Sequence, residues 1–207
     1  MKPRLRGVSH QYAFFAAIAA GAALVVLAQG AQARVAVGVY ALSLCAMFGA
    51  SALYHRIDWP PRPSVWMRRL DHAMIYVLVA GTYTPFALLV LAPALGWTLL
   101  GIVWAGALAG VALSLVWIDA PRALRALLYV VLGWIGLVAL PQLWNRAGAM
   151  AVALLATGGL LYTLGAVVYA RRRPDPAPRV FGYHEVFHVL VIAAAAVQFA
   201  AVALAAV

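Results

Sequence analysis

The sequence predicts an all-α membrane protein: a bundle of seven transmembrane helices, with the N-terminus in the cytoplasm and the C-terminus outside. Three observations predict it. The 207 residues are 67% hydrophobic and 10% charged, whereas a soluble domain carries about 25% charge. The apolar residues fall in runs of roughly 20, the length at which a helix crosses a hydrocarbon core. When those runs are threaded back and forth, all of the 15 Lys and Arg except Arg34 and Arg146 fall on one side. Inner loops collect positive charge, so that side is cytoplasmic.

The spans are expected at 12–32, 35–55, 70–92, 95–117, 123–140, 149–170 and 183–206, all within a single domain over 1–207. Lys2, Arg4 and Arg6 precede the first. Ala31-Gln32-Ala33 resembles a signal-peptidase site. The apolar stretch before it is longer than the usual ~7–15 residues of a signal core, so it is expected to stay as a span. The second span holds Cys45 and ends at His55. A single cysteine allows neither an internal disulfide nor a cysteine-based zinc site.

Between the second and third spans, Pro60, Pro61 and Pro63 are expected to exclude a continuous helix. Trp59 and Trp66 there suit the headgroup region. The third span opens with Asp71 and His72. The fourth carries the small-residue step Gly106 and Gly110, which permits close helix approach in lipid. Asp119 lies in the next turn, where capping beside Arg122 is the expected role. The fifth follows Arg122 and Arg125, and the sixth contains Gly158, Gly159 and Gly165. A second linker, 171–182, holds Pro174, Pro176 and Pro178 and leads into the seventh span.

The net charge of +10 does not point to nucleic acid. No basic block is longer than Arg171-Arg172-Arg173, and loop Arg and Lys orient membrane helices. No nucleic-acid partner is expected, and no signature fixes an oligomeric state.

The polar residues carry the chemistry. All five histidines fall near the cytoplasmic ends of spans. Ionisable groups within apolar segments are costly and usually face the bundle interior. His184 and His188 are i and i+4 on one helix, so both imidazoles can grip one ion. Ser51 and His55 share a face by the same spacing, and Asp71 enters from a third helix. His55, His184 and His188 together offer three nitrogens, which leaves zinc a fourth position for water. Asp71 is placed to hold that water or take its proton, with Ser51 as an outer hydrogen-bonding group. Iron or another divalent ion is the alternative metal. A network of interhelical hydrogen bonds without metal is the bland reading.

Other polar groups have competing readings. His184-Glu185-Val186-Phe187-His188 spells HExxH, which in metalloproteases pairs two ligands with a general-base glutamate. Glu185 in a first helical turn also favours the helix dipole and lies near Arg179. His72 is expected to pack beside Asp71, with a minor possibility of touching the metal. Asp71 has Arg68 and Arg69 as alternative partners, and His10 is expected at the interface.

The stretches Ser51-Ala52-Leu53-Tyr54-His55, Leu70-Asp71-His72-Ala73-Met74-Ile75-Tyr76 and Ala80-Gly81-Thr82-Tyr83-Thr84-Pro85-Phe86 resemble the haemolysin III family. Gly96-Trp97-Thr98, Gly133-Trp134 and the closing His184 to His188 add to the resemblance, which runs from about residue 7 to the end. These are bacterial membrane proteins related to the progestin and adipoQ receptors and, more widely, to ceramidase-like membrane hydrolases. The resemblance implies a bacterial cytoplasmic-membrane location and a seven-helix bundle with zinc near the cytoplasmic face. It assigns His55, His184 and His188 as ligands, with Asp71 and Ser51 around the water. One departure is that Ser9-His10-Gln11-Tyr12-Ala13 lacks the glycine of the family's T-H-x-x-G pattern.

The expected function is zinc-dependent hydrolysis of an amide or ester of a membrane lipid, the lipid entering laterally between helices. The alternative is a non-enzymatic membrane-homeostasis or receptor-like protein with structural zinc. An intramembrane protease rests on Glu185 alone. A cytolysin ranks last, because the sequence holds no amphipathic hairpin to insert.

Overall fold

Proline lacks an N–H, but the first turn of a helix does not need one. That explains where the third helix begins. In the computed structural model, which describes residues 3–207, Pro61 opens the helix and Pro63 sits in its first turn, so the chain is already helical nine residues before the expected 70. Lys2, counted among the N-terminal charges, lies outside the described residues.

The described residues form seven α-helices and one 3₁₀ segment. They are α1 (Val8–Leu27), α2 (Gly30–Arg56), α3 (Pro61–Leu89), α4 (Pro93–Val116), α5 (Arg122–Trp134), α6 (Leu140–Arg171) and α7 (Tyr183–Ala206). The first break falls at 28–29, a few residues before the expected 33–34, because Gly30 takes a left-handed φ of 85° that a helix interior does not use. Six helical segments are long and apolar enough to cross a membrane, with Arg122–Arg171 counted as one of 50 residues. Within that stretch, Gly148 (φ 81°, ψ 171°) interrupts the helix. Leu42 is 72% exposed and Val116 83% exposed. Such large apolar side chains turned outward suit a hydrocarbon solvent.

The 3₁₀ segment Ile135–Ala139 separates α5 from α6. Pro141 follows it and cannot donate to the residue one turn back. Tyr83 of α3 serves the start of the 3₁₀ segment, before that proline. Its hydroxyl donates to the Gly133 carbonyl at 2.6 Å and accepts from the Gly136 N–H at 2.7 Å. Freed backbone groups at membrane depth need such a partner.

Packing is densest between α6 and α7, α2 and α3, α3 and α4, and α1 and α2. The Gly106 and Gly110 step does let elements approach closely. A Cβ at Gly110 would meet the Tyr76 ring at 2.4 Å, and one at Gly106 would meet Leu132 at 2.8 Å. The start of α1, the end of α2, the early part of α3 and the start of α7 gather at one end of the bundle. There the chain before α1 runs beside 179–180: the Arg4 N–H donates to the Arg179 carbonyl and the Leu5 N–H to the Val180 carbonyl, both at 3.1 Å.

Candidate metal centre

Two rows of side chains, four residues apart on their helices, meet at that end. His55 lies on the buried face of α2, one turn after Ser51. His184 and His188 lie one turn apart at the start of α7. The Nε2 atoms of His55 and His184 are 3.1 Å apart, and one ligand nitrogen from each of His55, His184 and His188 lies within 4.8 Å of the others. His55 and His184 stand 129 positions apart in the sequence, and the fold alone brings them together.

This donor set fits a metal ion. Nitrogens bound at 2.0–2.1 Å around a tetrahedral ion stand about 3.3 Å from one another. One imidazole-to-imidazole hydrogen bond would satisfy His55 and His184, but the third ring is left over. His188 is 1% exposed, and its Nδ1 has no hydrogen-bond partner among the described residues. Two buried rings and the half-buried ring of His184, converging with too few protons and acceptors to satisfy one another, make a cation the simplest common partner.

Asp71 of α3 reaches the same point. Its Oδ2 is 3.8 Å from His55 Nε2, and the Ser51 side chain is its hydrogen-bond neighbour. Neither arginine considered as its partner takes it. Arg68 donates to Asp119 and to the Ile118 carbonyl, while Arg69 lies over the Trp66 ring at 4.6 Å. Asp119 is therefore held by Arg68 and does not cap beside Arg122. Arg122 instead donates to the Tyr183 hydroxyl at 2.9 Å.

His72 points elsewhere. Its Nδ1 is 2.9 Å from the buried Arg125 guanidinium, and it stands outside the three-histidine group. Glu185 is buried but engaged. It ion-pairs with Arg6, and its other oxygen accepts from the Gly182 N–H at 2.8 Å. Its charged partner comes from the N-terminal segment, not from Arg179 as the local sequence suggests.

His10 is the residue that sequence reasoning missed. Expected at the interface, it is 2% exposed. Its ring lies flat on that of His188, and its Nδ1 is hydrogen-bonded to Ser51 Oγ at 2.8 Å. The available signal was depth: His10 falls at the same level as the other four, but nothing local to it names a partner on α7.

The site opens into an apolar cavity of about 240 Å³ lined by α2 to α7 and His10. Along α3 its wall runs from Asp71 to Phe86, about 22 Å at 1.5 Å per residue. The polar end is formed by Asp71, His184 and His188, and the far end by residues such as Leu99 and Leu143.

A family profile described as "Haemolysin-III related" matches residues 1–199. The chain is 34% identical over 169 residues to Hemolysin-3 of Bacillus cereus, covering 82% of this chain and 74% of that protein. It is 32% identical over 161 residues to the Hemolysin-3 homolog of Bacillus subtilis (strain 168), covering 78% and 72%. It is 35% identical over 156 residues to the Heptahelical transmembrane protein ADIPOR2 of Oryza sativa subsp. japonica, covering 68% of each.

Proposed function

Since the chain belongs to the haemolysin III family, we propose that this integral membrane protein is a zinc-dependent hydrolase of a lipid amide or ester. We further read it as spanning the cytoplasmic membrane seven times, with the site at the inner face. The observation that carries the activity is the junction of three imidazoles and a carboxylate with the mouth of a long apolar cavity.

His55, His184 and His188 would hold the ion. Zinc held by three neutral imidazoles supplies a Lewis acid that polarises a carbonyl and activates water near neutral pH. The residues supply the rest. The cavity takes the acyl chain, which sets the carbonyl carbon beside the histidines. Asp71 takes the proton from the attacking water as the new C–O bond forms, and returns it to the leaving nitrogen or oxygen as the old bond breaks. Ser51 fixes the carboxylate for that task.

The seven-span reading is supported by the non-helical backbone at Gly148, which would divide the 122–171 stretch into two crossings, and by the one-sided distribution of Arg and Lys. The HExxH reading as a protease loses its base, because both oxygens of Glu185 are engaged.

The test is turnover. Zinc-loaded wild type in nanodiscs is given a panel of amide and ester lipids, with Asp71→Asn as the control. Release of free fatty acid by the wild type alone supports the proposal. No product from any lipid, with zinc bound and thermal stability dependent on it, would favour structural zinc in a non-enzymatic protein.

A further inference from the structure

α1 is a thinly buried helix. Its buried residues are His10, Ala17, Gly21 and Leu24, so the ring it buries fully is that of His10. That ring is held on three sides. Its face stacks on His188 with centroids 3.7 Å apart and planes 11° apart. Phe48 meets its edge at 5.1 Å and 69°. Ser51 Oγ fixes its Nδ1 at 2.8 Å.

We propose that His10 is a positioning residue of the metal centre, which sets the plane of His188 without binding the ion itself. The inference rests on the metal reading above. An imidazole nitrogen binds a cation along its lone pair, which lies in the ring plane. Two parallel rings 3.7 Å apart direct their lone pairs side by side, so an ion in the plane of His188 lies well out of the plane of His10. His10 accordingly falls outside the three-nitrogen group. It can still fix the rotation of His188, because any turn of that ring breaks the stack. The hydrogen bond to Ser51, one turn before His55 on α2, refers that orientation back to the helix carrying another ligand. Ligand orientation by such outer contacts is typically worth 10–100-fold in metal affinity.

A buried histidine whose Nε2 has no hydrogen-bond partner among the described residues is a costly way to fill space. A phenylalanine would fill it without that cost. The stack and the hydrogen bond together account for an imidazole there.

The experiment uses full-length protein in detergent, with cobalt(II) as the spectroscopic probe and zinc competed against a chelator. The variants are His10→Ala, His10→Phe and His10→Leu. His10→Ala is expected to weaken zinc binding about 10–100-fold and to change the cobalt ligand-field bands. His10→Phe, which restores a flat ring against His188, is expected to recover part of both. Wild-type zinc affinity and an unchanged cobalt spectrum in His10→Ala would overturn the proposal and leave the metal reading standing. If His10→Ala does not fold, His10→Leu, which fills the space with neither a flat ring nor a hydrogen bond to Ser51, takes its place, and the same wild-type result there overturns the proposal. A wild type that takes up no metal removes the metal reading, and this inference with it.

Discussion

The guanidinium of Arg6 meets the carboxylate of Glu185, and so ties the segment before α1 to the first turn of α7. Glu185 is nearly inaccessible there, while Arg6 keeps some contact with solvent. Removing one member of a buried ion pair leaves an uncompensated charge and costs about 3–5 kcal/mol. Glu185→Gln and Arg6→Ala are each expected to lower the thermal midpoint in detergent, and to be non-additive when combined. Zinc content should persist in both. A Glu185→Gln protein with full stability and no turnover would mean the carboxylate is a base after all.

Removal of a ligand should act on the metal. His55→Ala, His184→Ala and His188→Ala are each expected to purify with far less than one equivalent of zinc, read by mass spectrometry of the digested protein. His72→Ala should keep its metal, because that ring is turned to Arg125. Zinc lost from His72→Ala and kept in His184→Ala would require a different donor set.

Asp71→Asn separates binding from chemistry. The amide keeps the shape of the carboxylate but cannot take a proton. Zinc content is expected to stay at the wild-type level, while fatty-acid release falls by roughly 10²–10⁴-fold. Loss of zinc from this variant would make Asp71 a ligand.

Blocking the far part of the cavity should change which lipids fit. Ala156 lines the cavity on α6, 13 residues from Tyr169, or about 20 Å along the helix. Ala156→Phe is expected to reduce turnover of long-chain lipids about tenfold or more while leaving short-chain ones near wild type, since overfilling a packed space costs about 1–3 kcal/mol. A chain-length profile of released fatty acids reads this directly. An unchanged profile would place the acyl chain elsewhere.

Tyr83→Phe probes the fold away from the three histidines, at the wall of the cavity. It removes the hydroxyl that satisfies Gly133 and Gly136 around the 3₁₀ break. The stranded Gly136 N–H should cost about 1–3 kcal/mol, seen as earlier unfolding in a denaturing-detergent titration. Metal content should not change.

Much of this was legible in the order of residues, because lipid imposes strong rules. Run length and the i, i+4 steps of Ser51–His55 and His184–His188 foretell which side chains share a depth and a face. The three-histidine convergence follows from them. What was not legible depends on partners far apart in the chain. His10 stacks on a ring supplied by α7, and Glu185 finds Arg6 in place of the nearer Arg179, because the segment before α1 runs beside residues 179–180. The start of α3 was misjudged for a local reason: three prolines read as a break, whereas two of them occupy the turn in which a helix tolerates them.

Gly7 takes φ 77°, and a Cβ there would lie 2.6 Å from the Cβ of His55. The chain can therefore press its backbone directly against His55 before entering α1, while its neighbours grip the entrance to α7. A nascent protein emerges N-terminus first, so Arg4, Leu5 and Arg6 must wait for partners on and before α7 that are translated about 170 residues later. On the proposed metal reading, an ion could be held only after α7 has joined α2, and a product cut short before α7 would reach the bilayer with Arg6 lacking its carboxylate.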